Sequence, residues 1–151
     1  MRKVLDSIYT QLAGSTLNSS TYANGRIYYG EAPQNTTANS TTKTAAKFPY
    51  IVYNKISEEK KYTQKVSTNY AASTVETFLF QIDIYDNDTS AITLETMADL
   101  LDDLFNLFVD DFTITGYVLM YPPKKTIGST IKTQDNNWRH MSRYELQAQR
   151  S

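Results

Sequence analysis

The chain has no cysteine. Disulfides, thiolate nucleophiles and zinc–cysteine sites are therefore excluded. A single histidine, His140, removes any multi-histidine metal centre. Glycine is scarce, 5 in 151 residues, and the stretch from Gly25 to Gly30 has neither dinucleotide nor Walker spacing, so no phosphate-cradling loop is expected. No run of about 18 apolar residues occurs, and no segment reads as a membrane span. The opening Met1-Arg2-Lys3-Val4-Leu5-Asp6 meets an acid too soon for a secretory signal. A basic surplus is missing as well: 15 Lys and Arg stand against 16 Asp and Glu, a net charge of -1. That balance argues against a dedicated nucleic-acid binder.

What is abundant is tyrosine, with 12 copies. Tyrosine buries area yet keeps a polar tip, and is favoured where protein meets protein. Composition thus leans toward assembly and away from catalysis. The length suits one domain, 1–151, with one core.

Val4, Leu5, Ile8 and Leu12 fall at helical spacing before Gly14, which predicts a helix over 2–13. Residues 14–24 read as loop, and 26–29 as a short strand. The Thr- and Asn-rich stretch 34–47 has too little apolar surface to order alone and is expected to be mobile. Three N-x-Ser/Thr patterns at Asn18, Asn35 and Asn39, and a fourth at Asn87, read as accidents of a Thr-rich chain. Phe48–Ile56 reads as a strand, and charged 57–69 as a solvated loop or hairpin tip. Segment 57–72 is expected to be mobile too. Val75–Tyr85 alternates clearly, with Phe78, Phe80, Ile82 and Ile84 on one face. A helix over 91–109 follows, with an apolar stripe through Leu94, Met97, Leu101 and Phe105. Thr113–Tyr121 reads as a strand ended by Pro122-Pro123, 124–137 as a polar loop, and Trp138–Ala148 as a last strand. The order α-β-β-β-α-β-β predicts an α+β fold: a largely antiparallel sheet of about four to five strands with two helices on one face.

Most chemical motifs fail. His140 shares parity with Trp138 and Tyr144 and reads as a packed, hydrogen-bonded histidine. Asp86-x-Asp88-x-Ser90 opens like a calcium loop, but Ala91 and Met97 stand where glycine and glutamate are required. Paired acids occur at Asp102-Asp103 and Asp110-Asp111; helix neighbours point about 100° apart, so the first pair forms no dyad by itself. Lys124-Lys125 reads as a solubilising loop. The acidic helix face Glu95, Asp99, Asp102 and Asp103 is either simply solvated or serves to repel nucleic acid or dock a basic partner. No catalytic, cofactor-binding or metal-binding residue is assigned.

Three segments resemble a known family. Gly25-Arg26-Ile27-Tyr28-Tyr29-Gly30-Glu31-Ala32-Pro33 resembles its first strand and Ala-Pro turn. Phe48-Pro49-Tyr50-Ile51-Val52-Tyr53 resembles its second. Phe80-Gln81-Ile82-Asp83-Ile84-Tyr85 with the Ala91–Leu104 helix resembles its third strand and main helix. The family is the tail completion, or tail terminator, proteins of long-tailed bacteriophages, and the resemblance spans nearly the whole chain. It implies a virion protein, assembled in the host cytoplasm, that forms a ring of about six copies. The ring would stop the tail tube at its head-proximal end and join it to the head–tail connector protein. DNA would pass through the lumen without specific binding, and neither cofactor nor membrane is involved. The candidate interface is then Arg26, Tyr28, Tyr29, Lys43, Lys47, Lys60, Lys61, Arg139 and Arg143. Glu95, Asp99, Asp102 and Asp103 would form an acidic face or lumen. The alternatives are another phage neck or head-closure protein and, from a different class, a small carboxylate-dependent enzyme.

Overall fold

The computed structural model describes residues 2–33, 36–38, 41–43, 45–62, 74–105 and 112–150, with 36–38, 41–43, 61–62 and 74 in backbone only. Helix α1 spans Arg2–Ala13 and buries Val4, Ile8 and Leu12, one residue per turn. Gly14 closes it by donating to the Thr10 carbonyl at 3.0 Å. A short 3-10 turn at Thr16–Asn18 buries Leu17. Asn24 and Gly25 then adopt φ of 45° and 80°, the left-handed region that suits an Asn-Gly pair. They turn the chain into β1, Ile27–Tyr29.

Strands β2 (Thr36–Ala38) and β3 (Thr41–Lys43) pair antiparallel as a separate ladder. Within the stretch 34–47, expected to be mobile, residues 36–38 and 41–43 thus pair as a small hairpin. Backbone pairing needs no apolar side chains, which is why hydrophobicity alone missed it. Strand β4 spans Tyr50–Tyr62, β5 Thr74–Asp86, helix α2 Ile92–Phe105, β6 Tyr117–Lys132 and β7 Trp138–Arg150. The main sheet has the order β1-β4-β5-β7-β6. Only β1 runs parallel to its neighbour; the other pairs are antiparallel. Leaving the small hairpin aside, the order is α-β-β-β-α-β-β, with a five-stranded, mostly antiparallel sheet and two helices.

Two elements differ from their sequence reading. Residues 57–62 belong to β4 and not to a loop; their charges stand on a long ladder with β5, after a register shift between Lys55 and Ser57. The expectation for 63–72, like those for 106–109 and Asp110-Asp111, lies outside the described residues. The second difference is larger. Pro122-Pro123 does not end a strand, and 124–132 is no loop: β6 runs through the prolines to Lys132. Its place at the sheet edge explains this, because a missing N–H is tolerated where no further strand needs it. Register shifts at Leu119/Tyr121, Tyr121/Lys124 and Lys125/Ile127 absorb the misfit.

The core lies between one sheet face and the helices. Ile51, Tyr53, Phe78, Phe80, Ile82, Ile84, Tyr144, Leu146 and Ala148 face Leu94, Met97, Leu101 and Phe105 of α2 and Val4, Ile8 and Leu12 of α1. Phe80 sits at its centre, fully buried, edge-on to Phe105 at 5.7 Å and stacked with Tyr144 at 5.4 Å. Phe80→Ala is expected to destabilise the fold by about 3–5 kcal/mol, the usual cost of emptying such a site. Chemical denaturation checks this, and a loss below about 1 kcal/mol would place Phe80 outside the core.

Candidate functional site

The candidate interface begins at β1. Register places Tyr28 beside Val52 and Tyr29 beside Tyr53, so the two tyrosines face opposite sides of the sheet. Tyr29 is exposed and tilts against Tyr53 at 5.4 Å; Tyr53 also meets Tyr9 of α1 at 6.3 Å. Tyr28 meets Tyr50 edge-on at 6.1 Å, and Tyr50 stacks on Tyr85 at 4.9 Å. One sheet edge thus carries an aromatic cluster on each face. Arg26, just before β1, works inside the chain: its Nε donates to the Pro49 carbonyl at 2.9 Å and Nη2 to the Tyr22 carbonyl at 2.8 Å.

The basic candidates whose side chains are described do not gather into one patch. Lys47 is exposed beside this edge. Of Lys43 and Lys61 only the backbone is described. Lys60 lies 3.9 Å from Glu58 and 4.0 Å from Glu76. Arg139 and Arg143 stand on the face of the sheet turned away from the helices. There Arg139 pairs with buried Asp83 at 3.0 Å and lies over the Tyr85 ring, while Arg143 Nε donates to Gln81 at 2.8 Å. Gln81 in turn donates to both Asp83 oxygens. These groups form a connected network, as burial favours, in which the buried Arg139 Nε is the atom without a partner among the described residues.

The acidic face of α2 divides. Asp99 and Asp103 are exposed. Asp102 turns toward the sheet, taking Lys125 Nζ at 2.8 Å on one oxygen and the Tyr144 hydroxyl at 2.8 Å on the other. Glu95 accepts the Thr130 hydroxyl at 2.7 Å. Because that proton is committed, the His140 Nδ1–H must donate to Thr130 Oγ1 at 2.7 Å, and Nε2 then accepts from Ser142 at 2.9 Å. His140 is buried, 6% exposed, and packed as the sequence indicated. Its ring is held below the usual histidine range, first by burial and then by Lys125; Glu95, Asp102 and Asp83 pull the other way. Burial and the Asp102 carboxylate push the Tyr144 phenol upward.

Sequence reading missed two features. Glu76 is 1% exposed and shared by Arg150 Nε at 3.2 Å and the Tyr117 hydroxyl at 3.1 Å. Its place in the Val75–Tyr85 alternation was the available signal. The other feature is an apolar row on β6, where Val118, Tyr121, Ile127 and Ile131 are exposed; the prolines concealed its strand periodicity.

Among the described residues there is no group of three or more metal-binding side chains. A cavity of ≈ 450 Å³ is lined by Pro33, Ala46, Phe48, Tyr50, Tyr85 and Asp135 among others. The Asp86 carboxyl, pushed up by burial against the pull of the Asn87 and Asp88 backbone N–H groups, is not part of that lining. No helix among the described residues is long and apolar enough to cross a membrane.

No protein-family model matches the chain, and no curated protein does. Solved structures share its fold. A chain from the virion of a native gene transfer agent (GTA) particle overlays with a TM-score of 0.63 at 12% identity, covering 94% of this chain and 91% of the other. A second solved chain overlays with a TM-score of 0.51 at 12% identity, covering 97% of this chain and 95% of the other.

The lowered His140 pKa has a consequence for stability. The unfolded histidine takes a proton near its ordinary value of 6.5, while the folded one resists until lower pH. The neutral ring therefore stabilises the fold fully above about pH 6.5, and that contribution falls as pH drops from there toward the folded pKa. Urea denaturation of wild type and His140→Gln between about pH 7 and about pH 5 should show the wild-type advantage shrinking toward acid. An advantage that grows toward acid would mean an imidazolium is stabilised instead.

Proposed function

We propose that this chain is a virion structural protein acting as a tail terminator. In this reading, copies form a closed ring of about six subunits on the head-proximal end of a tail tube. The ring stops tube growth, presents its other side to the head–tail connector, and leaves a lumen for DNA. The observation that carries the proposal is the overlay, along almost the full length of both chains, with a chain of a gene transfer agent virion. The architecture agrees with the segments that resemble tail completion proteins. The surface adds support: exposed Tyr9 and Tyr29 at the β1 edge offer anchor area to a protein partner. Exposed Asp99 and Asp103 offer an acidic wall along which DNA slides without sticking. Asp102 contributes less to that wall, because Lys125 neutralises it.

The capping contact is assigned to β1 and the hairpin that follows it. An edge strand and a projecting hairpin recruit a partner through backbone groups. The base of this segment is pinned by the Ala46 N–H donating to the Pro33 carbonyl at 2.9 Å, so residues 36–43 can be excised while Pro33 and Ala46 already lie side by side. The deletion variant is expected to fold with little loss of stability. Electron microscopy of particles carrying it should show overlong or headless tails. Normal tails joined to heads would remove the hairpin from the capping role. For the reading as a whole, the decisive observation is the wild-type chain labelled in intact particles: label away from the head-proximal tail end overturns it.

A further inference from the structure

The main sheet has two long edges, each open to strand pairing along only part of its length. On one side, β1 pairs with β4 only at Ile51, Val52 and Tyr53. Among the described residues, nothing pairs with the outer edge of β4 from Asn54 to Tyr62. On the other side, β6 is outermost. Its first part carries Pro122-Pro123 and the register shifts, and such features block further strand pairing. Its last part, Ile127–Lys132, is free of proline and pairs regularly with Arg143–Trp138 of β7.

The register fixes where these free stretches lie. Asn54 opposes Gln81, Gln81 opposes Arg143, and Arg143 opposes Ile127. Asn54 and Ile127 therefore mark one row across the sheet. The free stretch of β4 extends to one side of that row and the free stretch of β6 to the other, at diagonally opposite corners. Both carry apolar side chains: Ile56 is 40% exposed, Ile127 44% and Ile131 49%. Because β4, β5, β7 and β6 alternate in direction, β6 runs antiparallel to β4. Two copies in the same orientation, set side by side, thus meet edge to edge in the favourable antiparallel sense.

Resting on the ring reading, we infer that Asn54–Tyr62 of one copy pairs antiparallel with Ile127–Lys132 of the next, so that the sheet continues from subunit to subunit. The occupant is a second copy of this chain. One molecule carries both halves of the contact, at complementary positions and with opposite strand direction, and head-to-tail use satisfies both in a closed ring. Flush pairing would set the free β4 stretch against the prolines, so the copies must stagger along the strands. A repeated stagger closes into a planar ring when the strands tilt to the ring axis, as in any closed sheet.

The absence of cysteine makes the test specific. Ile56→Cys combined with Ile131→Cys, or with Ile127→Cys, is treated with a short bismaleimide in assembled particles. A covalent ladder ending in a closed ring is expected from the double variants and not from either single one. Assembled particles that give no ladder, or ladders from a single variant, overturn the pairing. In a second arm, Ile127→Glu/Ile131→Glu should leave circular dichroism and melting unchanged while weakening ring formation by about tenfold or more, read by light scattering and electron microscopy. Wild-type rings alongside equally stable variant rings sink the edge pairing and leave the terminator reading intact. Wild-type protein that forms no ring, alone or on tail ends, sinks both.

Discussion

Tyr144 joins the apolar and polar halves of this structure. Its ring is fully buried, stacked on Phe80 of β5 and tilted against Phe105 of α2 at 5.6 Å. Its hydroxyl is carried into the same core, where an unmatched one would cost about 1–3 kcal/mol. Asp102 supplies the match, and its second oxygen takes Lys125 of β6. One side chain on β7 thereby ties β5, α2 and the outer strand together. This need explains why Asp102 turns to the sheet when Asp99 and Asp103 on the same helix do not. It also explains how a strand interrupted by two prolines stays in place: its ladder is irregular, but Lys125 and Thr130 anchor it to α2 through Asp102 and Glu95.

The same logic governs the sheet face without helices. Gln81 and Asp83 are buried there, and their partners Arg139 and Arg143 come from the neighbouring strand. On the helix-bearing face, at the far end of β5, Glu76 is satisfied by Arg150 and Tyr117. A carboxylate left without its cation would keep the desolvation cost and lose the compensation. Both faces of the central strands are therefore closed, one by hydrocarbon and one by a hydrogen-bonded lattice. The edges of the sheet stay open: Tyr29 with Tyr9 beside it, the apolar row of β6, and the bare part of β4. For a protein proposed to work by assembly, the edges are where partner recognition belongs.

The alternation of Phe78, Phe80, Ile82 and Ile84 and the stripe of Leu94, Met97, Leu101 and Phe105 were legible because each is a local pattern repeated several times. From these the fold class and the order of elements followed, as did the buried, hydrogen-bonded character of His140. Cysteine and histidine counts alone excluded disulfides and multi-histidine metal centres. Where one residue type carried the argument, the sequence misled. Pro122-Pro123 read as a stop because proline breaks a ladder, but whether a ladder needs that N–H depends on what lies outside it. The charges of 57–62 read as loop because charge favours solvent, but a strand edge also meets solvent.

Pairing decisions belonged to the tertiary structure. That Asp102 faces Tyr144 and Lys125, that Arg139 finds Asp83, and that Glu76 is buried between Arg150 and Tyr117 all depend on contacts between residues 23 to 74 positions apart. No local pattern encodes such contacts, because the free energy of a charge is set by whatever the fold brings beside it. Sequence alone determined which faces must be hidden, since apolar periodicity is a property of neighbouring residues. Which polar groups are satisfied, and which edges are left bare for another chain, was decided only when the strands took their places, because a hydrogen bond needs both its partners in position.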